Sequence, residues 1–114
     1  MFDKRKLKRR HPIYYLKVYD HGTGEHIGHL VDITPEGLLL VSPNPRAIQE
    51  VIDMRVELPT VIGGKEELTL KGCCVWCRRD VNPDLYGAGY HFEEIQSDDA
   101  RIIERLIARF GFND

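Results

Sequence analysis

Two segments hold the residues with the most chemical capability. The first, Asp32-Ile33-Thr34-Pro35-Glu36-Gly37, sets a carboxylate and a hydroxyl two positions apart at the end of an apolar stretch. Side chains alternate along a strand, so Asp32 and Thr34 project to one face and Ile33 to the other. A carboxylate so placed accepts hydrogen bonds from a flat donor edge such as the N1–H and exocyclic amine of guanine. The Thr34 hydroxyl donates or accepts beside it, and Gly37 permits close backbone approach. The same residue types also make ordinary turns, and alone the segment marks only a turn. The second segment, Lys4-Arg5-Lys6-Leu7-Lys8-Arg9-Arg10, gathers six cations. Arg5, Arg9 and Arg10 carry guanidinium groups, which bind phosphate or the O6/N7 edge of guanine bidentately and stack on planar rings. Taken alone, the charge run reads as a solvated tail or a nonspecific nucleic-acid contact.

Other constellations point to packing. Cys74-Val75-Trp76-Cys77 has the spacing of zinc knuckles and redox pairs, but positions i and i+3 of a strand face opposite ways and no second ligand pair lies nearby in sequence. The cysteines therefore read as small apolar residues, with Trp76 on the face of Cys74 and in the core. His11, His21, His26, His29 and His91 have no helical metal spacing, and His26 and His29 are expected on opposite strand faces. Arg78 and Arg79, beside Asp80, add positive potential or form a charged rim. No metal site, nucleophile–base pair, carboxylate pair or phosphate-cradling glycine loop is legible, so the expectation is a binding domain and not an enzyme.

The elements that must position these residues are mostly β. At 114 residues, with 42% hydrophobic and 30% charged residues, the chain has room for one core. Residues 1–10 carry +5 and the remainder −7. Specific nucleic-acid binding is not expected from that balance. No apolar run reaches membrane-spanning length, no secretory signal is legible and the clustered cysteines suit a reducing compartment, so the expected setting is the cytoplasm without membrane insertion. A flexible basic arm is expected over residues 1–12 and a folded domain over 13–114.

Strands are predicted over 13–19, 26–33, 38–41, 54–58 (closed by Pro59), 67–79 and 85–92, separated by turns at 20–24, 34–37, 63–65 and 82–84. A short helical turn is predicted over 46–52. Ile102, Ile103, Leu106, Ile107 and Phe110 share one face of a C-terminal helix over 97–110. Six short strands suggest a barrel or a sandwich.

Together the two segments resemble the signature of the PilZ domain family, an N-terminal Arg-x-x-x-Arg followed by Asp/Asn-x-Ser-x-x-Gly. Thr34 stands for the Ser and keeps the hydroxyl. Arg9-Arg10-His11-Pro12, Met54 to Pro59, Gly72 to Arg79 with Trp76, and Gly87 to Phe92 extend the resemblance over nearly the whole chain. It implies a six-stranded antiparallel β-barrel with a C-terminal α-helix, without a cofactor, that binds cyclic di-GMP and signals to a downstream protein. It implies ligand contacts from Arg5, Arg9, Arg10, Asp32, Thr34 and Gly37. The first motif is degenerate: where Arg9 or Arg10 supplies its first Arg, the second falls on Ile13 or Tyr14. The literal match from Arg5 to Arg9 lies about four residues, or roughly 13 Å of extended chain, too early. A second reading follows from that departure, an interaction module in motility or pilus machinery that works without the dinucleotide.

Overall fold

The computed structural model describes residues 16–110. Within them six antiparallel strands form a closed barrel in the order β1-β2-β3-β6-β5-β4. They are β1 (Lys17–Asp20), β2 (His26–Thr34), β3 (Gly37–Ser42), β4 (Val51–Ile62), β5 (Lys65–Arg79) and β6 (Tyr86–Glu94), followed by the helix α1 (Ser97–Phe110). Closure follows from the β1–β4 pairing, Val18 opposite Val56 and Tyr19 opposite Arg55, which leaves no open sheet edge. The expected residues 1–12 of the arm and the start of the first predicted strand, Ile13 to Tyr15, lie outside the described residues.

Alternation of apolar and polar residues fills the interior. Val18, Leu30, Ile33, Leu40, Met54, Val56, Leu68 and Cys74 are among the side chains sealed inside the barrel. The helix adds Ile102, Ile103 and Leu106 from one face. It packs against β2 and β4 and reaches the β4–β5 turn, where Gly63 and Gly64 adopt φ 60° and 82°. A Cβ on Gly63 would come within 3.0 Å of Ile102. Lys65 Nζ donates to the buried Asp99 Oδ1 at 2.8 Å and ties the first turn of the helix to that hairpin.

Two elements differ from the sequence expectation. Residues 46–52 form no helical turn: 43–50 is irregular, Gln49 adopts φ 72°, and Val51 and Ile52 open β4 opposite Cys73 and Gly72. The segment is held by cross-links that no periodicity encodes. Gln49 N donates to Cys74 O, Cys74 N to Glu50 O, and Arg46 reaches Tyr90 Oη through Nε at 3.3 Å and Glu50 Oε1 through Nη2 at 3.2 Å. Secondly, β4 does not stop at Pro59 but runs on to Ile62. Its pairing with β5 slips between Glu57 and Ile62, and Pro59 sits in that slip, where no ladder hydrogen bond is required of its missing N–H.

Burial pushes the Tyr90 phenol up to about 12, while the hydrogen bond from Arg46 pulls the other way. The raised value means that the neutral phenol stabilises the fold. That contribution is whole below pH 10.0, the ordinary value, and is lost as pH rises through about 12. An alkaline absorbance titration is expected to show one tyrosine ionising late, with loss of the barrel over the same range. Tyr90→Phe should remove the late step; joint ionisation of all tyrosines near pH 10.0 would contradict it.

Candidate functional site

Three bulges decide which side chains share the outer surface of the barrel. A bulge sets two residues of one strand against one of its partner and shifts the inside–outside phase beyond it. On β2, Leu30 pairs with Leu40 and Asp32 with Leu39, so Val31 is the extra residue. Leu30 and Ile33 are buried, while Asp32 and Thr34 turn outward together, the shared face their spacing predicts. Strict alternation from Leu30 would have sent Asp32 into the core. Asp32 Oδ1 accepts from Ile33 N at 2.9 Å and Thr34 Oγ1 from Glu36 N at 3.1 Å, which orients both side chains.

On β5, Cys74 pairs with Tyr90 and Trp76 with Gly89, leaving Val75 extra. Trp76 therefore leaves the core and faces outward, contrary to its expected place beside Cys74. Its indole lies on Gly89, where a Cβ would fall 2.3 Å from Nε1, and reaches Gly87. The Arg78 guanidinium sits 4.8 Å from the indole centroid.

Cross-strand pairing then assembles outward rows. One runs Trp76–Gly89–Leu39–Asp32; the next runs Arg78–Gly87–Val41–His29–Lys17; a third runs Val51–Cys73–His91–Gly37–Thr34. Because β6 contributes two glycines, the surface is hollow between Asp32 at one side and Trp76 at the other. A cleft of about 300 Å³ takes in Asp32, Thr34, Leu39, Val75 and Trp76. A second of about 420 Å³ continues past Leu39 and Trp76 to Val31, Val41, Arg78 and Arg79. The groove has an apolar floor, a carboxylate and hydroxyl at one wall, and an indole capped by a guanidinium at the other. Such a surface suits a flat, polar-edged, anionic ligand.

The model of the PilZ domain matches residues 3–109. The chain belongs to the PilZ domain family. That is a family of non-enzymatic binding and adaptor domains. The barrel is similar to K. pneumonia MrkH in its apo state, with a TM-score of 0.68 at 16% identity over 96% of this chain and 53% of that one. It is also similar to the Bacillus subtilis inhibitor of motility, MotI/DgrA, with a TM-score of 0.66 at 16% identity over 93% of this chain and 52% of that one. This chain thus spans about half the length of either protein. No curated protein matches the sequence.

Within this PilZ domain the three residues of the second motif come together along one cleft, and Gly37 also meets a packing constraint. A Cβ on Gly37 would lie 2.2 Å from the carbonyl oxygen of Tyr90, so the close approach it permits is that of β6. Arg5, Arg9 and Arg10 lie outside the described residues. The chain enters β1 beside β2: Lys17 pairs with His29, and Leu30 N donates to Leu16 O. Trp76, Leu39 and Gly89 were missed as groove residues because only the bulge brings Trp76 outside. Arg78 had been singled out for its charge, and its place on the indole gives that charge a position.

The bulges correct two further expectations. Cys74 and Cys77 face the same side, inward, with Cys77 Sγ accepting from Arg46 N at 3.3 Å. Burial raises the Cys74 thiol above its ordinary value, which suits a packing role. On β2, Ile27 is an extra residue against β1, so His26 and His29 share the outer face with ring centroids 5.0 Å apart. Among the described residues no group of His, Cys, Asp or Glu is arranged to hold a metal ion, and no helix is long and apolar enough to cross a membrane.

Proposed function

We propose that this domain is a bacterial, cytoplasmic receptor for cyclic di-GMP that passes its occupancy to a downstream protein. The observation that carries this reading is the row Trp76–Gly89–Leu39–Asp32, which sets a guanine-complementary carboxylate across an apolar hollow from an indole–guanidinium stack. Asp32 takes the N1–H and amine edge of one base, Thr34 bonds beside it, and the base lies on Leu39 against Trp76. Arg9 and Arg10 hold phosphate or stack on a base, with Arg5 as a substitute. Order acquired by the arm on binding then presents a new surface to the partner.

Calorimetry with cyclic di-GMP near physiological salt tests this. Saturable heat that persists in the presence of excess GTP is the expected result; absence of heat at high protein concentration would sink it. The second reading, a ligand-free interaction module of motility or pilus machinery, draws on Ile13 and Tyr14 standing where the second Arg is needed. It predicts that a partner binds equally with and without nucleotide, and that Tyr14→Arg creates an affinity the unaltered chain lacks.

A further inference from the structure

The row next to Asp32 carries its own chemistry. Lys17 on β1 is the direct cross-strand neighbour of His29 on β2, and Val41 flanks His29 on β3. The His29 ring meets His26 edge-on at 5.0 Å, His26 meets Tyr19 at 5.3 Å, and Arg55 on β4 lies 4.4 Å over the Tyr19 ring. Arg55 is the member with an acidic partner, Glu67 at 3.5 Å. Glu57 follows Arg55 as the next outward residue of β4, and Glu25 precedes His26 in the turn. Among the described residues, the groups whose charge acts on His29 are His26 and Lys17.

A half-buried imidazole beside an ammonium and a second imidazole makes a basic patch. It is unexpected where residues 11–114 carry −7. It adjoins the groove: Val31 and Val41, the neighbours of His29 on its two sides, line the second cleft. Three residues of bulged strand separate His29 from Asp32, roughly 7–10 Å. That is the scale of one nucleotide from the pairing edge of its base to its phosphate.

We infer that Lys17 and His29, with His26 packed behind, form a proton-coupled phosphate subsite of the groove, in which His29 becomes charged as a phosphodiester of the dinucleotide is seated. The inference rests on the cyclic di-GMP reading and says where one of its phosphates goes. It also supplies a contact that the missing second Arg would otherwise leave unmade. Burial, then His26 and Lys17, hold the free imidazole below its usual value, so it is neutral at pH 7. A phosphodiester at hydrogen-bond distance favours the imidazolium and raises it again. Binding therefore takes up part of a proton, and affinity climbs as pH falls, by at most about tenfold per unit for one group.

The test is calorimetry with cyclic di-GMP at about pH 6 and about pH 8, in two buffers of different ionisation enthalpy, on the full chain. The unaltered domain is expected to bind about three- to tenfold more tightly at the lower pH, with measurable proton uptake. His29→Gln should abolish both, with affinity at the lower pH falling to or below the level the unaltered domain shows at the higher pH. Lys17→Met should weaken binding at both pH values. NMR of the imidazole should show the His29 titration moving up on saturation. Binding that is indifferent to pH, or equally pH-dependent in His29→Gln, overturns the subsite and leaves the receptor reading standing. Absence of binding at either pH overturns both.

Discussion

Cyclic di-GMP affinity is expected to fall about ten- to a hundredfold in Asp32→Ala, with no comparable loss of fold. A hydrogen bond to a charged group contributes about 1.5–3 kcal/mol, and each ~1.4 kcal/mol is a factor of ten. Asp32 reaches outward from β2, so its removal opens no cavity in the core. Its carboxylate does hold the adjacent Ile33 N–H, and loss of that contact is a cost of about 0.5–1.5 kcal/mol that thermal unfolding will register. Asp32→Asn separates the two effects. The amide keeps a neutral acceptor, and Asn is a residue the family signature allows at this position, so stability should be retained and binding should fall less than in Asp32→Ala. Binding unaffected by Asp32→Ala would remove Asp32 from the site.

Gly37→Ala is expected to do the reverse, destabilising the barrel by about 1–3 kcal/mol before any ligand is added. The new methyl would meet the Tyr90 carbonyl at 2.2 Å, a backbone atom in the β3–β6 ladder that cannot swing aside as a side chain would. Relief requires β3 and β6 to separate, and Leu38 and Tyr90, a buried pair across that ladder, would lose packing. Urea unfolding in the absence of nucleotide reads this directly. Unchanged stability with impaired binding would instead return Gly37 to the ligand. The two variants together split one six-residue motif into a part that recognises and a part that lets two strands meet.

What was legible in the residues was whatever depends on type and short-range period. The six strands, the Gly63-Gly64 turn and the helical face of Ile102, Ile103 and Leu106 follow from such patterns, as does the common face of Asp32 and Thr34. What was not legible is phase. Val31, Val75 and Ile27 are ordinary strand residues, and nothing in their side chains announces that each will stand unpaired in its ladder. Every error about Trp76, the Cys74–Cys77 pair and the His26–His29 pair comes from carrying strict alternation through such a residue. Barrel curvature decides where the bulges fall, and curvature belongs to the closed sheet. The helical turn assigned to 46–52 failed for another reason, since Arg46 spends its side chain on Tyr90, forty-four positions away.

Gly87 and Gly89 sit within β6, where a residue such as valine has the higher strand propensity and restricts the unfolded chain more. Each costs the sheet about 0.5–1 kcal/mol relative to alanine. What they provide is empty space: Trp76 can lie flat on the strand, and the groove keeps its depth. A side chain at Gly89 would collide with the indole and one at Gly87 would touch its far edge, so a larger residue there must displace Trp76 before it can strengthen the strand. Strand propensity and the seat of Trp76 are in opposition at these two positions, and the chain has kept the seat.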